Sequence, residues 1–347
     1  MSNDTSNPKS GHLHLRPEWL ASTTEEPIDP TLPIVDPHHH LWCRDGHQYF
    51  LDELLEDTSS GHNIVATVFV ECHAMYRRHG PEAMRPVGEV EFANGIAAMS
   101  ASGQFGDTQA VAGIIGHASL ALGEEVGAVL EAESRIAGPR FCGIRDSSVW
   151  HADPTARGSM LNTGPGMLAQ PSFRAGLKRL TQMGFSYDAW MYHTQLDDVV
   201  ALARAVPDAN IILNHVGGAI GIGPYANQRE EVFQQWHAGI REVASCPNVS
   251  VKLGGLGMRL FGFDVHTGPT APSSLTLADA WRPYIEACIE AFGPERSMFE
   301  SNFPVDKGSC SYVALWNAFK RICQGASADE KAQLFQQTAT RVYRLDL

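Results

Sequence analysis

The chain has 347 residues, 44% of them apolar, and a formal net charge of −13 from 26 basic and 39 acidic side chains. That length and apolar content allow a sizeable core, and so acidic a chain without a basic cluster is expected to repel nucleic acid and anionic membrane surfaces. Its seven cysteines (Cys43, Cys72, Cys142, Cys246, Cys288, Cys310 and Cys323) include no CxxC pair, the pattern of reduced, mostly buried thiols in a cytoplasmic protein.

Residues 1–30 are polar, proline-containing and aperiodic. They predict an N-terminal arm, flexible at its tip and docked through Leu15 and Trp19, ahead of one domain over residues 31–347. No apolar run there suits a signal peptide, and none later reaches a membrane span. His12 and His14 have an HxH spacing without a strand beneath them and are expected to be inert.

The first strand signal is Ile34 to Asp36, which delivers His38, His39 and His40 at its C-terminal end. Side chains alternate along a strand, so His38 and His40 share one face and His39 takes the other. Two imidazoles about 6–7 Å apart on one face can converge on a metal ion or on one substrate group.

Seven more apolar runs follow, over residues 63–70, 109–116, 141–145, 185–191, 210–214, 248–253 and 297–300. They are near-continuous rather than alternating, as parallel strands covered on both faces require. Amphipathic segments such as 173–183, 195–205, 230–244 and 277–292 separate them. Eight strands alternating with helices predict a single (β/α)8 TIM barrel with long βα loops; a doubly wound sheet is the alternative. The glycine-rich stretches 217–223 and 254–262 lack phosphate-binding spacing and read as βα loops.

In such a barrel the site lies at the C-terminal strand ends. Those ends carry His38 and His40, Glu71, Arg145, Tyr187 with Asp188 and Trp190, His215, Lys252 followed by Arg259, and Asn302 followed by Asp306. Lys252 reads as a structural neutraliser of carboxylates, and Glu91, on a helix-like segment, as part of a solvated face. Loops 48–55, 150–171 and 261–274 would shape the substrate cavity, and Trp42, Trp150, Trp190 and Phe303 hint at a ring-shaped group.

The DxHxH strand end, Gly143-Ile144-Arg145, the NHxGG at 214–218, the VKLGG at 251–255 and the ESNFPVDK at 300–307 together resemble the amidohydrolase superfamily from about Leu32 onward. They are similar to its branch of sugar lactonases and 2-pyrone-4,6-dicarboxylate and 4-sulfomuconolactone hydrolases. The resemblance implies a hydrolase that opens a small carboxylated or sugar-derived lactone by attack of water. His38 and His40 would bind a divalent metal, zinc or manganese, or polarise the carbonyl without one. His215 would contact substrate or water, and Arg145 and, more loosely, Arg259 would orient a carboxylate. Tyr187, Trp190 and Asn302 are further candidates for substrate contact.

Two departures from the pattern bear on the metal. The family's eighth strand commonly ends Ser-Asp-Xaa-Pro, with the Asp as ligand and base, whereas this chain has Ser301-Asn302-Phe303-Pro304, and an amide takes no proton from water at neutral pH. The fifth strand also lacks a histidine. Asp306 and Asp188, with His215, are the remaining candidate bases, and a metal-dependent decarboxylase or an amide hydrolase of the same superfamily stays open, as does a non-catalytic binding barrel. The expected partner is a small-molecule substrate; the long insertions suit a homo-oligomer.

Overall fold

The structure, a computed structural model, describes residues 12–44, 46–158 and 161–347. Eight strands form one sheet: β1 (Ile34–His39), β2 (Ile64–Val70), β3 (Gln109–Gly116), β4 (Phe141–Arg145), β5 (Ser186–Ala189), β6 (Ile211–Leu213), β7 (Val249–Leu253) and β8 (Ser297–Phe299). Each pairs in parallel with its neighbour in sequence. The seam between β8 and β1 is bridged beyond the strand end, where Asn302 N donates to His38 O (2.9 Å) and His40 N to Phe303 O (2.7 Å). Helices such as Pro171–Gln182, Leu196–Ala205, Arg229–Ala244 and Ser274–Phe292 fill the crossovers. This is the expected single (β/α)8 barrel, each strand lying where an apolar run predicts it.

Two cores hold it together. The larger lies between strands and helices. The smaller fills the barrel interior with Val35, Ala66, Val68, Val70, Ile115, Cys142, Ile212 and Met298, and the C-terminal segment plugs its lower end with Ala339, Val342, Tyr343 and Leu345. Above this apolar layer, Lys252 Nζ donates to Asp188 Oδ2 (2.7 Å) and Pro37 O (2.9 Å), and Asp188 also accepts from Asn214 Nδ2 (3.0 Å) and Tyr343 OH (2.9 Å). A charge pair this deep is tolerable because each group is matched and hydrogen-bonded.

β1 contains the irregularity that builds the site. Asp36 pairs with Thr67 and His39 with Phe69, so three steps on β1 oppose two on β2. Such a bulge reverses which face later residues occupy. Val35 faces inward while Asp36 turns out to Tyr312 OH (2.9 Å); past the bulge, His38 and His40 face inward and His39 turns out to Thr67 Oγ1 (2.9 Å).

After β1, Trp42–Arg44 and His47–Tyr49 form a small antiparallel hairpin. From residue 12 the arm is tied down: Trp19 Nε1 donates to Gly268 O (2.9 Å) and Thr23 Oγ1 to Ala271 O (2.6 Å). Glu25 accepts from Ser274 N (2.6 Å), at the N-terminus of helix Ser274–Phe292, where a carboxylate is favoured. The expected flexible tip lies outside the described residues. All seven cysteines are free and only Cys43 is exposed. Among the described residues no helix is long and apolar enough to cross a membrane.

Candidate active site

At the C-terminal end of the barrel lies a cavity of about 420 Å³. Its lining includes His40, Glu71, Arg145, Trp190, His215 and Asn302 from the strand ends, Trp42 and Arg44 from the hairpin, and His12 from the arm. Beneath it His38 is fully buried, its ring centroid 4.9 Å from that of His40 and 4.5 Å from that of His215.

Glu300, just past β8, is the carboxylate around which these rings gather. His215 Nδ1 donates to Oε1 (2.7 Å), and His215 N reaches the same oxygen (3.1 Å). His38 Nδ1 lies 2.7 Å from Oε2 but off the line of a ring N–H, so this buried oxygen has no hydrogen-bond donor; Lys252 Nζ stands 3.2 Å from the same ring nitrogen. His40 Nδ1 is 2.8 Å from Val70 O. A carbonyl only accepts, so that nitrogen carries the proton and Nε2 is a lone pair, 3.3 Å from His38 Nε2.

The electrostatics keep the imidazoles neutral. Burial depresses the pKa of His38 and His40, and the cations Lys252 and Arg145 push the same way. Burial also lowers that of His215, outweighing Glu300. Neutral imidazoles with available lone pairs beside a buried carboxylate oxygen lacking a donor are a donor set for a divalent cation. His38, His215 and Glu300 bring one ligand atom each within 4.8 Å of one another. The residues fit such an ion.

Arg145 is held by Glu71: Nε donates to Oε1 (2.6 Å), Nη2 donates to the Glu71 carbonyl, and Nη1 stands 3.4 Å from His38 Nε2. Burial opposes both charges, yet the pair overrides it, keeping Glu71 ionised and raising the Arg145 pKa. Trp190 packs edge-on against His215, centroids 4.8 Å apart.

The structure thus brings His38, His40, His215, Arg145, Trp190 and Asn302 together and puts four expected residues elsewhere. Asp188 belongs to the buried layer with Lys252 and Tyr343, below the cavity. Asp306 is fully buried behind the wall, accepting from Asn302 Nδ2 and Gly257 N (both 2.8 Å), and burial pushes its pKa up to about 8. Tyr187 points away from the barrel interior, its hydroxyl on Asp146 O (3.0 Å). Arg259 is exposed on a short turn, and Met258 before it faces the cavity instead. Trp150 and Phe303 do not line the cavity, and Glu91 sits on the surface paired with Arg77.

Sequence reasoning missed Glu300, whose signal was present: positions 300 and 302 lie two apart at one strand end, where side chains share a face. His12, expected to be inert, stacks on Trp42 with centroids 5.3 Å apart and lines the cavity. The arm contacts that carry it there come from residues distant in sequence.

The sequence model of the family described as "Amidohydrolase" matches residues 35–345. The uncharacterized protein y4mH of Sinorhizobium fredii is 32% identical over 90% of this chain and 99% of its own length. An L-fucono-1,5-lactonase of Burkholderia ambifaria is 24% identical over 90% of this chain and 96% of its own. Among solved structures, an amidohydrolase of Burkholderia multivorans with bound zinc superposes with a TM-score of 0.68 at 22% identity, covering 90% of this chain and 99% of that one. With the family match running from the bulged strand of the histidine pair almost to the C-terminal plug, this chain belongs to the amidohydrolase family.

Proposed function

We propose that the protein is a hydrolase that opens a lactone ring by attack of water on the ester carbonyl. The observation that carries this reading is the His215 Nδ1–Glu300 contact of 2.7 Å, with His215 in the wall of a cavity that also holds the Arg145 guanidinium. The lactonase relative supports the choice of ester.

The chain's own groups divide the work. Arg145, immobilised by Glu71, keeps a positive charge at the wall where the carbonyl oxygen becomes anionic; a well-placed donor of this kind contributes about 3–4 kcal/mol. Trp42, Trp190, Leu161 and Met258 supply apolar walls that seat a ring and keep water sparse. His38, His215 and Glu300 would hold a divalent cation, zinc or manganese. Such an ion supplies Lewis acidity and a more acidic water.

The proton of His215 marks the difference between the loaded and unloaded states. Were His215 to help hold a cation, its proton would be left on the other ring nitrogen as a donor; with the proton on Nδ1, facing Glu300, Nε2 is a base for the attacking water. His40, whose Nδ1–H donates to Val70 O, presents only a lone pair at Nε2 and so cannot donate to a carbonyl oxygen.

The test is elemental analysis of untagged protein, paired with a lactone panel before and after chelation. About one ion per chain, with turnover lost on chelation and restored by metal, is the expected result. Full activity without metal would move the base role to His215 Nε2. No turnover of any lactone, with carbon dioxide released from aromatic acids, would overturn the reading.

A further inference from the structure

The charges in the cavity wall do not cancel. Arg145 is matched by Glu71, and Glu300 lies deeper among the imidazoles. Arg44 also lines the cavity, and no carboxylate among the described residues lies within ion-pair distance of it. Its guanidinium sits 4.6 Å over the ring of Trp42, two positions back on the same hairpin strand.

The mount is rigid. Trp42 stacks on His40 on the cavity side (centroids 5.5 Å, planes 13° apart) and against His12 of the arm (5.3 Å, 14°). Across the hairpin Trp42 pairs with Tyr49, whose hydroxyl is fixed on Asp57 Oδ2 (2.7 Å). A guanidinium stacked on an indole loses part of its hydration, and beside an apolar cavity its attraction for an anion is stronger than in open water. Its planar fork matches a carboxylate. His12 lies outside the residues that the family model matches, so the outer side of this corner is not part of the shared barrel frame.

We propose that Arg44 receives a carboxylate of the substrate at the cavity mouth, so that the lactone opened here is an anionic one. The proposal rests on the hydrolytic reading for its kinetics, but not for its binding. It takes the carboxylate-orienting role from Arg145, whose Nε and Nη2 are engaged by Glu71 so that no open fork is left for a carboxylate, and from Arg259, which is outside the cavity.

Two measurements on wild type, Arg44→Met and Arg44→Lys separate the proposal from that reading. The first is calorimetric titration with glutarate, a dicarboxylate that cannot be hydrolysed. Wild type should bind it more weakly as salt rises, Arg44→Met should lose about tenfold or more in affinity, and Arg44→Lys should fall between them. The second compares kcat/KM for 5-oxotetrahydrofuran-2-carboxylate and its methyl ester. The acid-to-ester ratio should drop about 10–100-fold in Arg44→Met, mostly through KM. Equal glutarate binding in wild type and Arg44→Met, or an unchanged ratio, would overturn the proposal. If no lactone is turned over, the hydrolytic reading fails, and the glutarate arm still decides for or against Arg44. Circular dichroism of the folded variants guards against trivial loss.

Discussion

Glu300 shows how much can turn on a single carboxylate. The eighth strand end reads Glu300-Ser301-Asn302, and at position 302 an amide replaces the acid that the family resemblance leads one to expect. The longer Glu side chain two positions earlier reaches His38 and His215 (2.7 Å each), so the carboxylate enters from the same face by another residue. Glu300→Gln, which removes the one carboxylate of the set that would hold the ion, should lower kcat by about 100-fold or more, while far-ultraviolet circular dichroism stays native. Asp188 makes the opposite case. It reads as a candidate base, but with Lys252, Asn214 and Tyr343 around it the carboxylate is a structural counter-ion. Asp188→Asn strands a buried ammonium and should cost about 3–5 kcal/mol in denaturant unfolding. Proximity at a strand end was legible in the sequence for both acids; the partners that assign their roles come from other strands and from the C-terminal plug.

At the scale of elements, β1 and the arm carry the argument. Alternation correctly pairs His38 with His40, because that rule needs only two neighbouring positions. That both face inward depends on the bulge after Asp36, since an unbroken β1 would put them on the face opposite Val35. Pro37 sits where the register slips, but a proline alone does not announce which way the parity changes. The arm docks through scattered hydrogen bonds, among them Glu25 at the start of helix Ser274–Phe292. Glu25→Ala should cost about 0.5–2 kcal/mol, as loss of a helix cap does, and should raise protease cutting within residues 12–28. The base of the arm gives a pH test. His62 Nδ1 lies 2.9 Å from Lys320 Nζ, and burial together with that ammonium lowers its pKa to about 4. Below pH 6.5 the unfolded imidazole binds a proton that the native one refuses until about pH 4, so this contribution to stability is complete above 6.5 and lost as pH falls toward 4. His62→Gln should therefore show a shallower fall in unfolding free energy than wild type over that window.

For the whole molecule, the barrel and its site are linked through binding. An ion on His38, His215 and Glu300 would join β1, the end of β6 and the end of β8, elements far apart in sequence. Binding only the folded state at a free concentration a hundred times its Kd contributes about 2.7 kcal/mol. Chelation should thus lower the melting temperature of wild type and leave Glu300→Gln little changed, a comparison that scanning calorimetry makes directly. The eight strands and their alternation with helices follow from the sequence alone, and the barrel order that the structure shows is the first of the two arrangements that alternation allows. Each apolar run reads as a strand covered on both faces, and each crossover is long enough to carry a helix back to the start of the next strand in parallel, so local pattern is sufficient there. Tertiary structure alone decides which polar groups at the strand ends meet. A strand presents a side chain to one face, but whether that side chain finds an imidazole, an ammonium or open cavity depends on neighbours supplied by other strands, the hairpin and the arm. Burial and charge at those meeting points then separate Glu300 from Asp188, and Arg44 from Arg145.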